Sequence, residues 1–179
     1  MFSPLISHTV PHHGKYSSRG GQRITRVIQH HWAGPGGDAR LTNPTQPASS
    51  TYLIFSDGRI AGQVPEEFRP WTSGSADADG PAITIEVENS SYQKHGNDSH
   101  PESWAVSDAA YNSIIALVAD VAKRYGFGEV TESNYLGHRQ FSSTACPGGY
   151  LWARMGDIRA KANAGGRNLL IAGIPDLHI

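Results

Sequence analysis

The chain contains one cysteine, Cys146, in the stretch "GHRQFSSTACPGG" (residues 137–149), eight residues after His138 and directly before Pro147-Gly148-Gly149. A single cysteine forms no internal disulfide, so Cys146 is core filler, a reactive thiol or a metal ligand. Nine histidines, at positions 8, 12, 13, 30, 31, 95, 100, 138 and 178, make the metal option worth following. Zinc takes imidazole nitrogen and thiolate, and a catalytic zinc keeps three protein ligands and leaves the fourth position to water. His30, His138 and Cys146 would supply such a set. The gap between His138 and Cys146 is too long for one helical turn but suits a loop that doubles back. A cysteine just ahead of a helix start also has its thiolate favoured by the N-terminal dipole. From the residues alone two plainer assignments stay open: a small buried apolar side chain for Cys146, and a structural histidine for His138.

Groups so far apart along the chain need a scaffold that brings them together. "RITRVIQHHWAG" holds a β-branched run over residues 24–29, read as a buried strand with His30 and His31 at its C-terminal end. "STYLIFSDGRIAGQV" reads as a hairpin turning at Ser56-Asp57-Gly58. "PAITIEVEN" reads as a strand with Ile83, Ile85 and Val87 on one face and Thr84, Glu86 and Glu88 on the other. The spacing of Ala110, Ile114, Leu117, Val118 and Val121 predicts a helix from Ser107, its N-cap, to Tyr125, stopped by Gly126. "SNYLG" before His138 reads as a short strand, and "YLWARMGDIRAKA" after Pro147 as a second helix. Strands alternating with helices predict an α/β fold with a single mixed central sheet flanked by helices. Ligands in such sheets gather at the strand ends.

The bulk properties narrow the partners. The chain has 179 residues, 38% apolar and 17% charged, with a formal net charge of −1 and a pI near 6.7. That is enough for one domain with a core and gives no basic footprint for nucleic acid or an anionic membrane. No apolar run is long enough to span a bilayer. The opening "MFSPLISHTVPHHGK" is too short in apolar residues and too broken by Pro and His for a signal peptide, so no secretion address is expected.

Four stretches in order, "ITRVIQHHWAG", "SSTYLIFSDGRIAGQV", "PAITIEVEN" and "GHRQFSSTACPGGYL", resemble the zinc-dependent N-acetylmuramoyl-L-alanine amidases, the group that includes the peptidoglycan recognition proteins. The likeness spans roughly residues 20–160, and "ASSTYLIFSDGRI" followed by "RPWTSGSADADG" is most similar to amidase domains of phage endolysins. It implies an enzyme that cuts the amide between N-acetylmuramic acid and L-alanine of the stem peptide, with bacterial peptidoglycan as partner and one zinc ion per chain. A monomer is expected, made in a host cytoplasm and released to the wall by a separate factor. The implied ligands are His30 (with Ala33 three residues on, as in the motif), His138 and Cys146. Glu86 falls where several members place a general base, and Thr144 where members place a Lys or Thr that assists the transition state. The catalytic tyrosine of some members aligns with Ser50; Tyr52, two residues on, is expected on the same face. His31, Trp32, Ser50, Tyr52, Trp71 and Arg139 are the candidate substrate contacts. The chain is expected to divide into a Pro/Gly/Ser-rich lead-in without periodicity (1–22), a catalytic domain (23–163) and a tail or linker stub (164–179).

Three other readings compete. Ser75, Asp77, Asp79, Gly80 and Glu86 nearly spell a calcium-binding loop, but Ser stands at its first position and a strand follows where a helix belongs. A polar turn entering a strand fits better. Cys146 activated by His138 would make a Cys–His wall hydrolase and leave His30 without a task. A non-catalytic wall-recognition module is the third, although such relatives typically lose the zinc cysteine that is present here.

Overall fold

In chain order the strands and helices are β1 (His8–Thr9), β2 (Tyr16–Ser18), β3 (Arg26–Gln29), α1 (Ala39–Thr42), β4 (Tyr52–Ile54), β5 (Ile60–Gly62), β6 (Phe68–Pro70), α2 (Ala76–Asp79), β7 (Ala82–Val87), α3 (Asp108–Tyr125), β8 (Tyr135–Gly137), α4 (Gly149–Trp152) and α5 (Met155–Asn163). The structure is a computed structural model that describes residues 1–36 and 38–165. The C-terminal tail expected from residue 164 therefore lies almost wholly outside the described residues.

Six strands form one mixed sheet in the order β1-β5-β4-β7-β3-β8, and β2 pairs with β6 in a separate ribbon. The centre of the sheet, β4-β7-β3-β8, is parallel, while β4 and β5 form the antiparallel hairpin. The hairpin and the strands before His30 and around Glu86 match the sequence reading. The alternation in "AITIEV" has the expected effect: Ile83, Ile85 and Val87 join Val27, Tyr52 and Tyr135 in the main core, against α3 and α5. That core removes Ile83, Ile85, Ile114 and Leu117 fully from solvent. Truncating one such side chain to Ala typically costs about 2–5 kcal/mol.

Helix α3 forms where its signals predict. Ser107 Oγ accepts the Ala110 N–H (3.0 Å), and Gly126 ends the helix with φ +67°. The single helix expected after Pro147 is instead a one-turn α4 and the longer α5.

The first residues are part of the sheet system. Thr9 pairs with Gly62, Tyr16–Ser18 pairs with Phe68–Pro70, and Ser3 Oγ donates to Asp120 Oδ2 at 2.8 Å. Among the described residues, no helix is long and apolar enough to cross a membrane.

Candidate metal centre

Strand register builds the site. Gln29, the last residue of β3, stands opposite Ile85 of β7 on one side and Gly137 of β8 on the other. One residue further along come Glu86, still within β7, and His30 and His138, each directly after the last residue of its strand. The His30 N–H continues the ladder by donating to the Ile85 carbonyl at 2.7 Å. Side chains alternate along β7, so Glu86, between the core residues Ile85 and Val87, lies on the sheet face opposite α3. The rings of His30 and His138 lie 4.5 Å apart between centroids. Cys146 enters from the loop after His138, and the ligand atoms of His30, His138 and Cys146 all lie within 4.8 Å of one another.

The polar atoms of this group suit a metal ion. His30 Nε2 and Glu86 Oε2 are buried and find no hydrogen-bond partner among the described residues. Buried polar groups are otherwise bonded in folded proteins, so two orphans on adjacent strands mark a place where a further group is wanted. Burial pushes His30 well below its ordinary value, and the neighbouring His138 adds to that shift. His138 is lowered too, mainly by burial. Both shifts favour the neutral ring, the form that ligates a metal. Burial pushes the Glu86 carboxyl up to about 8, with Arg40 opposing and Asp79 reinforcing the shift.

One expectation is corrected here. The Cys146 thiol is raised, not lowered: burial dominates, with the charge of Glu86 adding to it. The helix that follows, Gly149–Trp152, is too short for its dipole to reverse this. A backbone hydrogen bond from His31 and the charge of Arg139 work in the other direction. A dication beside the sulfur would supply the missing compensation, because metal binding and thiol deprotonation are coupled.

The loop that carries Cys146 is tied down from several sides. The Arg139 N–H donates to the Cys146 carbonyl (3.0 Å), and its guanidinium bonds the Ala145 carbonyl and lies over the Trp152 ring at 4.7 Å. Thr144 Oγ1 accepts the Cys146 N–H at 3.2 Å, which leaves the Thr144 hydroxyl proton available for donation. The two glycines after Pro147 are required by close packing. A Cβ on Gly148 (φ +85°) would come within 2.8 Å of Trp104, and one on Gly149 within 2.0 Å of the His100 carbonyl oxygen.

The remaining sequence candidates fall into different places. His31 sits next to the centre, with Nδ1 2.9 Å from Asn89 Oδ1 and its ring edge-on to Trp104. Burial lowers its pKa to about 4. Trp32 is half-buried against Phe55. The Trp71 indole N–H is taken up by Ser17 Oγ at 2.9 Å, and the Arg139 guanidinium by the loop just described. Ser50 and Tyr52, two of the candidate substrate contacts, are both fully buried in the folded chain. Ser50 Oγ bonds Thr84, while Tyr52 belongs to the α3 face and its hydroxyl bonds Glu66 and the Ser3 N–H. They do not share a face, because Ser50 precedes the regular strand. The calcium-loop alternative dissolves as well. Ser75 caps α2 by accepting the Ala78 N–H, and Asp79 accepts the Thr72 and Ser73 N–H groups.

Three residues near the centre escaped the sequence reading. Ser142 Oγ lies 2.9 Å from His138 Nε2, Ser73 makes a backbone hydrogen bond to His138, and buried Asp79 adds its charge to both Glu86 and His138. Nothing in the composition of "WTSGSADADG" distinguishes Ser73 and Asp79, nor in "RQFSSTA" Ser142, from ordinary turn residues.

Residues 20–149 match the family described as N-acetylmuramoyl-L-alanine amidase. Among solved structures, a selenomethionine AmpD derivative matches with a TM-score of 0.65 at 22% identity, covering 87% of this chain and 94% of that one. PlyL matches with a TM-score of 0.62 at 19% identity, covering 89% and 96%. The N-acetylmuramoyl-L-alanine amidase LysC from Clostridium intestinale URNW matches with a TM-score of 0.60 at 18% identity, covering 83% and 89%. At these identities the likeness to the structures is one of fold. No curated protein sequence matches the chain.

Proposed function

The chain belongs to the N-acetylmuramoyl-L-alanine amidase family, and from that premise we propose that it is a zinc-dependent peptidoglycan amidase of the endolysin type. Its substrate is the amide between N-acetylmuramic acid and L-alanine of the stem peptide. A phage origin is supported by the resemblance of "ASSTYLIFSDGRI" and "RPWTSGSADADG" to endolysin domains, and the bacterial cell wall is where such an enzyme works.

His30, His138 and Cys146 would hold the zinc, which when bound supplies Lewis-acid polarisation and acidifies a water near neutral pH. The protein does the rest. Glu86 takes the proton of the attacking water and later returns it to the leaving amine of L-alanine. Burial raises the Glu86 carboxyl above the ordinary range, which makes its carboxylate form a stronger base and its acid form able to return a proton. The Thr144 hydroxyl donates to the oxygen that gains charge as the carbonyl becomes tetrahedral. His31 presents its backbone N–H to the Cys146 sulfur and favours the thiolate. Arg139 keeps the loop in place through the Ala145 and Cys146 carbonyls.

One observation carries the proposal: His30, His138 and Cys146 bring their ligand atoms within 4.8 Å of one another, and His30 Nε2 and Glu86 Oε2 are buried and unsatisfied. The test is an assay of purified walls for newly freed L-alanine amino groups, before and after chelation and with zinc restored. Amino groups released only with zinc would support the proposal, and release unaffected by thorough chelation would refute it.

A further inference from the structure

The segment between β7 and α3 carries a second set of metal-binding side chains, separate from the centre just described. His95, His100 and Glu102 present ligand atoms that all lie within 4.8 Å of one another. His95 Nε2 is 2.8 Å from Glu102 Oε2, the two imidazole rings are 4.1 Å apart between centroids, and the Glu102 N–H donates to His100 Nδ1 at 3.2 Å.

The backbone around this set is fixed in advance. Lys94 and Asn97 pair across a tight turn whose two central residues, His95 (φ +56°) and Gly96 (φ +61°), are both left-handed. Such a φ is uncommon for a non-glycine residue and costs about 1 kcal/mol or more, so the fold holds His95 there against its preference. Ser103, fully buried, joins the two limbs of the loop. Its Oγ lies 2.9 and 2.7 Å from the Lys94 and Asn97 carbonyls, as donor, and accepts the Lys94 N–H at 2.8 Å. The Asp98 carbonyl accepts the Gly149 N–H (2.9 Å), which anchors the loop to the segment following Cys146.

The geometry points to a second metal site on this loop, in which two imidazoles and one carboxylate take a divalent ion of the zinc class and water completes the shell. Two nitrogen donors favour zinc, cobalt, nickel or copper over magnesium and calcium, which want oxygen. The side chains of His95 and Glu102 are 56% and 61% exposed, so solvent can fill the open positions and binding should be weaker than at a buried thiolate site. A bound ion would tie the turn at His95 to the limb that leads into Trp104, whose ring packs on His31. The site would thus stiffen one wall of the region beside the candidate metal centre, without needing that centre to be loaded.

The test is a titration of the chelator-stripped full chain with Zn2+ by calorimetry and with Co2+ by optical absorption. Two binding events are expected. One brings thiolate-to-cobalt charge transfer from Cys146, and a weaker one adds none, since no sulfur takes part. His95→Ala/His100→Ala should abolish the weaker event, and Glu102→Gln should weaken it about tenfold or more. The sulfur-linked event and the amidase activity at one zinc equivalent should stay unchanged in both. A wild-type protein with only the sulfur-linked event would overturn the second site. So would a sulfur-free event that survives in His95→Ala/His100→Ala, because it would then belong to other histidines such as His12 and His13. A missing sulfur-linked event would count against the catalytic zinc and leave this site standing.

Discussion

Glu86, one residue past Ile85 on β7, and His30, one residue past its partner Gln29 at the end of β3, each carry a buried polar atom, Oε2 and Nε2, that no group among the described residues satisfies. Two such orphans side by side would destabilise a protein that had no use for them.

Glu86→Gln keeps the size and burial of the side chain but removes its proton chemistry. Zinc content should be unchanged while kcat falls about a hundred- to ten-thousand-fold, the usual range for a lost general base. Metal analysis and turnover on purified walls check this together. A variant with full zinc and full activity would remove Glu86 from the mechanism.

Thr144→Val deletes the hydroxyl without changing the volume much. kcat should drop by about a hundred-fold or more, as for other single oxyanion donors, with KM nearly constant. Thr144→Ser should recover most of the rate. Equal losses in Ser and Val variants would mean that Thr144 acts through loop packing alone.

Gly148→Ala tests the packing that holds the Cys146 loop. Its Cβ would meet Trp104 at 2.8 Å at a φ of +85°, so stability should fall by about 1–3 kcal/mol. Zinc affinity should fall with it, because the strain sits two residues from Cys146. Urea unfolding and a zinc competition assay measure the two effects.

The metal-free protein should also show Glu86 in its pH dependence. Burial raises this carboxyl from 4.5 to about 8 in the folded chain. The unfolded chain therefore ionises first, and stability is highest below the unfolded pKa. It is lost as pH rises toward the folded pKa and levels off above it. The total is on the order of a few kcal/mol. Glu86→Gln should flatten this slope in chelated protein between about pH 5 and pH 8, and an equally steep slope in the variant would place its origin elsewhere.

Much of this arrangement can be read from the residues because the key positions end simple patterns. His30 closes a β-branched run, Glu86 falls on the polar side of a clean alternation, and the capped, Gly-stopped α3 announces both of its ends. The N-terminal segment does not announce itself. His8–Thr9 and Tyr16–Ser18 are too short to show a period, and only their partners in β5 and β6 make them strands. Tyr52 faces away from Ser50 because two-residue spacing implies a shared face only within a regular strand, and Ser50 lies outside one. The raised thiol of Cys146 follows from burial by the whole fold, which a four-residue helix downstream cannot reveal. Asp79, Ser73 and Ser142 reach the centre only through tertiary folding.

The most direct test of the central claim is zinc-edge anomalous scattering from a crystal of the zinc-loaded protein. A peak is expected within about 2.0–2.3 Å of one nitrogen of His30, one nitrogen of His138 and the Cys146 sulfur together, with Glu86 beside it and no fourth protein ligand. Zinc bound only elsewhere, or these three side chains turned away from a common point, would contradict it.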